Sequence, residues 1–192
     1  MENFDKKISD TAVRIGPVRF CYANVFHPRK KEDGSDGKYG ITPLIDESDA
    51  ARLKLINDAI NAAKELAKTK GIKLTSTSKM PLRNGDTDRP DDETFAGKWF
   101  FNANCQKKPG VFVRQDDGTI VPALDEDDFY SGCWGVVTVN FYPYDSSGNK
   151  GVGAGLNNVM KTQDGDRLSG GSSAASDFGD LGSFGDPLDC LN

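Results

Sequence analysis

The stretch SGCWGVVTVNFYPYD, residues 131–145, carries the clearest strand pattern of the chain, and SSGNKGVGAGLNNVMKT follows it at 146–162. Side chains of a strand alternate between its two faces. One face is apolar and consists of Cys133, Val137, Val139 and Phe141. The other face mixes polar residues with large rings: Trp134, Thr138, Asn140, Tyr142 and Tyr144. The pattern predicts a half-buried strand whose outer face offers rings on which a flat ligand, such as a nucleic-acid base, can stack.

Further strand patterns precede this stretch. They are AVRIGPVRFCYANVF at 12–26, KYGITPLI at 38–45, KWFFNANC at 98–105, and short pieces at 111–114 and 119–121. A proline removes a hydrogen-bond donor, so we expect a bulge or an edge at Gly16-Pro17. A last strand is expected at 152–161, after a glycine-hinged hairpin. These short strands favour a mainly β Greek-key barrel over a doubly wound α/β sheet.

One segment has the periodicity of a helix. Apolar residues recur at three- and four-residue steps from Leu53 to Ala67, after an Asp- and Ser-rich start at 46–49 and before Gly71. We therefore predict one long inserted helix that covers a side or an end of the sheet. The next segment, 72–96, consists largely of turn formers and charged residues and is too long for a simple connection. It is predicted to be a mobile arm.

The charge of the chain is concentrated at its C-terminal end. The 192 residues have a formal net charge of −5, and residues 163–192, with six Asp and one Arg, account for all of it. This segment is rich in Gly, Ser and Asp and contains Phe178 and Phe184, a composition typical of disorder. We therefore expect one folded domain at 1–162 and a flexible acidic tail at 163–192.

The composition argues against a membrane, a disulfide framework and structural zinc. The four cysteines, at 21, 105, 133 and 190, are far apart, and His27 is the one histidine. We expect no cofactor, a reducing compartment, and three thiols that act as small core residues. The sequence contains neither an apolar run of membrane-spanning length nor a signal-peptide core, which predicts a soluble intracellular protein.

Catalytic motifs are not evident. In SSGNKGVGAG, Lys150 precedes the glycines and no Lys-Ser/Thr pair follows them, so the loop is not a phosphate-binding P-loop. The acidic clusters at 91–93 and 125–128 are the type of cluster that can hold Mg²⁺, but such clusters are usually solvated loops. His27 has no recognisable nucleophile partner in the sequence. We therefore predict that the protein is not an enzyme.

Cations and rings are interleaved along neighbouring strands. In KWFFNANC, alternation separates Lys98, Phe100, Asn102 and Asn104 from the apolar face, and Lys107 and Lys108 follow directly. Phe112 and Arg114 share a face of the next strand. Such a layout suits a groove for single-stranded nucleic acid, because cations bind phosphates while rings stack on bases. The alternative is an ordinary half-exposed sheet whose aromatic residues fill the barrel ends.

The sequence also resembles a known family. The segments GCWGVVTVNFYPYD and GNKGVGAGLNNVMKTQDGDRL, after KYGITPLI and KWFFNANC, are similar to bacteriophage single-stranded-DNA-binding proteins. The resemblance covers most of residues 10–168. It implies an OB-fold core that coats single-stranded DNA in phage replication, recombination and repair, in the cytoplasm of the infected host. It also implies an acidic tail that contacts replication proteins such as a polymerase, helicase or primase.

Two features depart from this pattern. The chain ends Cys190-Leu191-Asn192 rather than in an aromatic residue, and the helix precedes the predicted third strand.

The predicted function is sequence-nonspecific binding of single-stranded DNA. The residues predicted to stack on bases are Tyr39, Phe100, Phe112, Trp134 and Tyr142. Those predicted to contact phosphates are Lys38, Lys98, Lys107, Lys108, Arg114 and Lys150, with Lys79 and Arg83 from the arm. Asn102 and Asn140 are predicted to hydrogen-bond to bases or sugars. The tail is expected to occupy the groove when DNA is absent.

Two alternative functions remain open from the sequence. In the first, the aromatic face is the interface of a protein-interaction or assembly module. In the second, the acidic clusters serve a metal-dependent nuclease.

Overall fold

The computed structural model describes residues 2–146 and 148–168, and it is mainly β with one long helix, as predicted. The strands are β1 (Lys6–Lys7), β2 (Ala12–Asn24), β3 (Tyr39–Asp46), β4 (Arg83–Asn84), β5 (Lys98–Phe100), β6 (Ala103–Cys105), β7 (Gly110–Arg114), β8 (Ile120–Pro122), β9 (Trp134–Ser146) and β10 (Asn149–Gln163). The helices are α1 (Ala50–Thr69) and the short α2 (Gly85–Asp88), with a 3₁₀ turn at Glu93–Phe95. No helix in the part of the chain that the structure describes is long and apolar enough to cross a membrane.

Strand β2 closes the sheet into a barrel because it pairs along both edges. Its first half is antiparallel to β9, and its second half is antiparallel to β3. β3 pairs with β5 and β6, β6 is parallel to β10, and β10 is antiparallel to β9 over its whole length. The barrel is of the OB type, which confirms the predicted fold class. Helix α1 lies before the third barrel strand, where the sequence placed it.

A bulge in β2 joins the barrel to α1 and to the N-terminal segment. The register with β9 shifts around Gly16 and Pro17. Arg52 of α1 donates hydrogen bonds to the carbonyl oxygens of both residues, each at 3.2 Å. The Arg52 guanidinium also pairs with the Asp5 carboxylate at 3.0 Å, and Asp5 accepts from the N–H of Gly16 at 2.8 Å. The Asp5–Arg52 pair thus binds backbone groups at the bulge, and the Gly16 carbonyl also accepts from the N–H of Phe4 at 2.9 Å.

The inner faces of the barrel strands and one face of α1 share a core. The predicted helix periodicity is confirmed, since Ile56, Ala59, Ile60, Ala63 and Ala67 are buried. The predicted apolar face of β9 is also buried and comprises Cys133, Val137, Val139 and Phe141. The side chain of Asp49 accepts from the N–H of Arg52 at 3.1 Å and so caps the start of the helix, and Gly71 with φ of 70° follows its end.

The thiols behave as packing residues in the described structure. Cys21 and Cys133 are buried and Cys105 is half-buried, and all three are free. Burial raises the pKa of the Cys21 thiol to about 12 and that of Cys133 to about 11. Both therefore stay protonated and unreactive at neutral pH.

The segment 72–96 is packed on the barrel, so the prediction of a mobile arm was wrong. Met80 and Leu82 pack against the main core, and Phe95 is buried. Lys79 bridges to Gly151 of β10, and β4 pairs with β5. The prediction rested on the excess of turn formers and charges. A few apolar side chains spaced along the segment are enough to anchor it.

Ordered structure continues past residue 162, where the sequence suggested a domain boundary. β10 ends at Gln163, and the next residues lie against the turn that precedes β9. The Tyr130 hydroxyl donates to Asp164 at 2.8 Å, and the N–H of Leu168 donates to the carbonyl of Ser131 at 2.9 Å. Residues 169–192, which form most of the predicted acidic tail, lie outside the described residues. The division of the chain at 162 stays a prediction.

Replacing Arg52 by Ala should lower the free energy of unfolding by about 3 kcal/mol, because Asp5 and two backbone carbonyls lose a largely buried partner. Lys54 is a matched control on the same helix, since its ion pair with Asp58, at 2.6 Å, is exposed. Lys54→Ala should change the stability by less than about 0.5 kcal/mol. Urea unfolding of the parent and both variants measures the difference. Equal losses would contradict the role of Arg52 at the bulge.

Candidate nucleic-acid interface

A polar cleft crosses the outer face of β3 and β6, on the side opposite the main core. Its floor includes Thr42, Asn102 and Asn104. Arg29 of the β2–β3 loop (residues 25–38) lines one side, and Tyr22 and Arg89 line another. Arg29 and Asn104 also line a neighbouring depression with several lysines of the same loop. The two depressions together form one continuous surface, which we call the cleft.

The β2–β3 loop is internally hydrogen-bonded, and this positions its cations. The N–H of Arg29 donates to the carbonyl of Lys38 at 3.0 Å, and the N–H of Gly37 donates back to Arg29 at 2.8 Å. A side chain at position 37 would place its Cβ 2.5 Å from the Arg29 carbonyl oxygen, so glycine allows this close approach. The loop thus presents a group of cations at the rim of the cleft: Arg29, Lys30, Lys31 and Lys38.

Aromatic rings and guanidinium groups pack together at the other side of the cleft. Tyr22, with φ of 50°, is 48% exposed, and its ring stacks on Phe95 with centroids 6.3 Å apart. The Arg89 Cζ lies 5.9 Å from the Tyr22 ring centroid and 5.5 Å from that of Phe95. Phe95 contacts Phe100 edge-on at 4.8 Å, and Arg83 covers the Phe100 ring at 4.4 Å. These cation–π contacts hold the segment 83–97 over this part of the sheet.

The floor of the cleft carries amide groups. The Thr42 hydroxyl donates to the Asn102 Oδ1 at 2.9 Å, and the Asn104 side chain donates to the Asn102 carbonyl at 3.3 Å. A Cβ at position 40 would lie 2.5 Å from the Asn104 Oδ1, so Gly40 makes room for this amide. Asn102 and Asn104 are both exposed. They can therefore hydrogen-bond to a ligand that lies on the sheet.

The charge of the cleft favours an anion. Five cations line it, namely Arg29, Lys30, Lys31, Lys38 and Arg89, against the two acidic residues Glu32 and Asp33, and one of the cations, Lys30, pairs with Asp36 of the same loop. The cleft lies over the second and third barrel strands, beside the loop that joins the first two. In OB-folds this is the face that binds oligonucleotides and oligosaccharides. An exposed ring among cations matches the first of these ligands better.

The structure brings a few of the predicted site residues to the cleft. Lys38 and Asn102 line it, whereas Arg83 lies over the Phe100 ring and is not part of the lining. Phe100 itself is 1% exposed and packs with Cys21, Leu44 and Phe95. The predicted alternation is correct, because Phe100 faces away from the main core. The segment 83–97 covers this ring, however, so it is not accessible for stacking in this structure.

Two further predicted residues lie on the same strands but do not line the cleft. Tyr39 is half-buried and shares the strand face of the core residue Ile41. Lys98 pairs with Asp46 at 2.6 Å. The Lys98 ammonium and the Ser48 hydroxyl hold the pKa of Asp46 well below its usual range.

The residues predicted on the later strands form a separate surface on β7, β9 and β10. Tyr142 is 39% exposed and lies across Gly153, where a Cβ would be 2.9 Å from the ring. Trp134 is half-buried beside Gly165, and Asn140 accepts a hydrogen bond from the Thr11 hydroxyl at 3.0 Å.

On the same surface, the half-buried Phe112 lies opposite Met160, and Arg114 pairs with Glu2 at 2.6 Å. The predicted set therefore divides between two surfaces.

The remaining predicted lysines lie in turns and at an edge. Lys150 pairs with Asp145 at 2.9 Å, and Lys79 is exposed beside β10. Lys107 and Lys108 are exposed between β6 and β7, and the Lys108 Nζ lies 5.3 Å from the Phe26 ring centroid. None of these four lines the cleft in the described structure.

Several cleft residues were not predicted from the sequence: Tyr22, Arg29, Lys30, Lys31, Arg89 and Asn104. The sequence does contain a signal for three of them, since Arg29, Lys30 and Lys31 are consecutive cations directly after the first barrel strand. In an OB-fold the loop after that strand borders the binding face. The sequence-based prediction assigns these three cations no role, although this connection was available.

These features define an OB-fold protein with a cationic cleft on the ligand-binding face of the barrel. The sequence model described as "Enterobacter phage Enc34, ssDNA-binding protein" matches residues 11–188, and the chain belongs to this family. The resemblance identified from the sequence is thereby confirmed.

Individual relatives agree with this assignment. The single-stranded DNA-binding protein of bacteriophage Enc34, solved in complex with single-stranded DNA, is 25% identical with a TM-score of 0.73, covering 85% of this chain and 96% of that one. Putative protein p50 of Acyrthosiphon pisum secondary endosymbiont phage 1 is 29% identical, covering 88% of this chain and 93% of that protein. The single-stranded DNA-binding protein gp2.5 of bacteriophage T7, at 17% identity and a TM-score of 0.50, covers 84% of this chain and 97% of its own, and shows the fold alone.

Replacing Phe100 by Ala should lower the free energy of unfolding by about 3–5 kcal/mol, because it leaves a cavity between Phe95 and Leu44. Tyr22→Ala, on the exposed end of the same aromatic group, should cost less than about 1 kcal/mol. Thermal and urea unfolding of the two variants measure this contrast. A small loss for Phe100→Ala would show that the segment 83–97 opens readily and exposes the ring.

Proposed function

We propose that the chain binds single-stranded DNA in the cleft over β3 and β6 without reading its sequence. The observation that carries the proposal is a continuous cationic surface around the exposed ring of Tyr22. Membership of a family described as ssDNA-binding, and a relative solved with single-stranded DNA, support it. The cleft combines the two features that such binding needs, namely cations for phosphates and a ring for bases.

Different residues of the cleft bind different parts of the DNA. Arg29, Lys31 and Lys38 contact phosphates from the loop side, and each contact releases a counterion from the DNA. A base stacks on Tyr22, and the Arg89 Cζ lies 5.9 Å from the centroid of that ring. Asn102 and Asn104 hydrogen-bond to sugars or base edges that lie over the sheet. Amides donate and accept, so they tolerate any base and the binding is sequence-nonspecific.

This binding mode and membership of the family support a proposed biological role. The protein coats and protects single-stranded DNA during phage DNA replication, recombination and repair, in the cytoplasm of the infected bacterium. It does so without catalysis and without a cofactor. The acidic segment at the C-terminal end competes with DNA for the cationic cleft, and it recruits replication proteins when DNA displaces it.

The main competing function is a protein-interaction or assembly module whose aromatic surface on β7, β9 and β10 is an interface. The dependence of affinity on salt concentration distinguishes the two functions. Binding of single-stranded DNA weakens with a log–log slope of about −0.7 for each phosphate contact. An apolar protein interface is far less sensitive to salt.

Tyr22→Ala is expected to weaken binding to labelled oligo-dT by on the order of 1–3 kcal/mol, because one base loses its stacking partner. Fluorescence anisotropy measures the affinity. Trp134→Ala is the comparison, since the sequence predicts the same loss for that residue on the other surface. A loss confined to Trp134→Ala would move the binding site to β9 and β10. Tight, salt-sensitive binding by both variants would remove both rings from the site.

Arg29→Ala combined with Lys31→Ala should reduce the salt slope of oligo-dT binding by about 1.4, since two phosphate contacts are lost. Lys54→Ala, which removes an exposed cation on helix α1, is the matched control and should leave the slope unchanged. The slopes are measured by anisotropy titrations at several salt concentrations. Equal slopes in all three proteins would contradict phosphate binding by the β2–β3 loop.

A chain that ends at Leu168 should bind oligo-dT more tightly than the full chain, because it lacks a competing acidic segment. The gain should shrink as salt rises, since screening weakens the attraction of the segment for the cleft. A version in which the four Asp of residues 169–192 are changed to Asn tests charge separately from length. If truncation leaves the affinity unchanged at low salt, the tail does not compete.

A further inference from the structure

A groove separate from the cleft lies between the C-terminal half of α1 and the segment 71–80. Its floor is apolar and its rim is basic: Ile72, Leu74 and Met80 form the floor, and Lys64, Lys68 and Lys73 border it. The one acidic residue of the lining, Glu65, pairs with Lys68 at 2.7 Å. The groove has a volume of about 950 Å³, which is room for at least one large side chain. The residues that line it do not overlap with those of the cleft.

A protruding leucine lies on another part of the molecule. Leu124 is 82% exposed, the most exposed of the large apolar side chains that the structure describes. Hydrogen bonds hold it in a defined position: its N–H donates to the Asp128 carboxylate at 2.7 Å, and Asp125 accepts from the N–H of Asp127 at 3.0 Å. These bonds order the backbone, so a partner that buries the side chain has little backbone freedom left to restrict.

The surroundings of Leu124 complement those of the groove. Four consecutive acidic residues, 125–128, follow it, and Arg167 pairs with one of them, Asp127, at 2.7 Å. Leu124 with the carboxylates of residues 125–128 therefore forms an exposed apolar protrusion, which we call the knob. The α1 groove offers the complementary surface, an apolar floor bordered by ammonium groups. We propose that Leu124 and residues 125–128 of one copy dock into the α1 groove of a second copy.

The positions of the two surfaces on the molecule determine which kind of assembly the contact forms. Lys79, next to Met80 of the groove, bridges to Gly151 at the start of β10. Val111, whose carbonyl accepts from the N–H of Ala123 next to Leu124, lies opposite Val159 near the end of β10. Eight residues of strand separate these points, or about 26 Å. The knob and the groove therefore lie toward opposite ends of the barrel.

A contact between two different surfaces of one molecule is heterologous. Each copy that joins leaves one knob and one groove free, so the contact produces an open chain unless its rotation closes a ring. A single leucine and a few charges give a weak contact in free solution. On a long DNA strand, neighbouring copies are held at a high effective concentration, and the same contact then makes binding cooperative. This last consequence rests on the proposed DNA binding, whereas the contact itself does not.

Sedimentation of the full chain without DNA, at low salt and rising protein concentration, tests the contact. The average mass should rise beyond that of a pair. Leu124→Asp, and separately Lys68→Glu combined with Lys73→Glu, should keep the protein monomeric. Ile8→Asp is the matched control, because Ile8 is 53% exposed but lies outside both surfaces, and it should associate like the parent. A parent that stays monomeric at every concentration overturns the proposal.

Mixing the two kinds of variant gives the sharper result. Leu124→Asp retains an intact groove, and the lysine variant retains an intact knob, so the mixture should form pairs and nothing larger. A parent whose mass levels off at a pair contradicts the open chain. If a protein ending at Leu168 loses the self-association, the C-terminal segment is the occupant of the groove and the role of Leu124 is wrong.

Binding to DNA of two lengths completes the test. On an oligo-dT that holds one copy, the Leu124→Asp protein should bind like the parent. On a strand that holds many copies, its cooperativity should fall about tenfold or more, as expected for the loss of one buried leucine. Equal cooperativity in both proteins overturns the contact on DNA. If the parent does not bind the short oligo-dT, the proposed function fails, while the sedimentation result still decides the contact between copies.

Discussion

The pairing of β2 with two neighbours is the constraint on which the rest of the molecule depends. A single strand reaches both β9 and β3 because it bends at Gly16-Pro17, and Arg52 and Asp5 bind backbone groups at the bend. Beyond the bend the strand runs along the outer sheet, with Phe20 in the main core and Cys21 in the smaller cluster on the other side. Tyr22 follows directly and becomes the exposed ring of the cleft. The geometry of the site thus depends on the closure of the barrel.

The segment 83–97 decides which rings of this sheet remain accessible. Phe95 and Arg83 cover Phe100, while Arg89 contacts both Phe95 and the exposed Tyr22. The stability of this segment and the composition of the cleft are therefore linked, since loosening it would expose Phe100 and displace Arg89. The segment can supply Arg89 to a ligand because buried Phe95 anchors it. A freely mobile arm would pay a larger ordering entropy for the same contact.

The strands and the helix could be predicted from the sequence because periodicity records burial along one element. β9 and α1 have the predicted faces, since each forms one continuous side of the core. The cleft could not be predicted in this way, because its residues come from positions as distant as Arg29, Arg89 and Asn104. Phe100 illustrates what alternation cannot predict. Alternation correctly predicts that its side chain faces away from the main core, but its burial depends on the segment 83–97, which packs over it. The roles of Trp134, Phe112 and Tyr142 remain predictions for the same reason, as their surface has no structural feature that distinguishes a ligand site from a half-exposed sheet.

Net charge does not explain an attraction of this domain to DNA, because residues 1–162 carry 23 basic and 23 acidic side chains. The attraction must come from the way the charges are separated on the surface. Cations are concentrated at the cleft and at the α1 groove, whereas carboxylates follow Leu124 and recur in the C-terminal segment. A balanced domain avoids a long-range field that would hold two copies apart, so neighbours can approach on one DNA strand. Within a Debye length of about 8 Å at physiological salt, each local patch still acts on its own ligand. Segregated charge is therefore compatible both with the proposed binding of a polyanion and with the proposed second copy beside it.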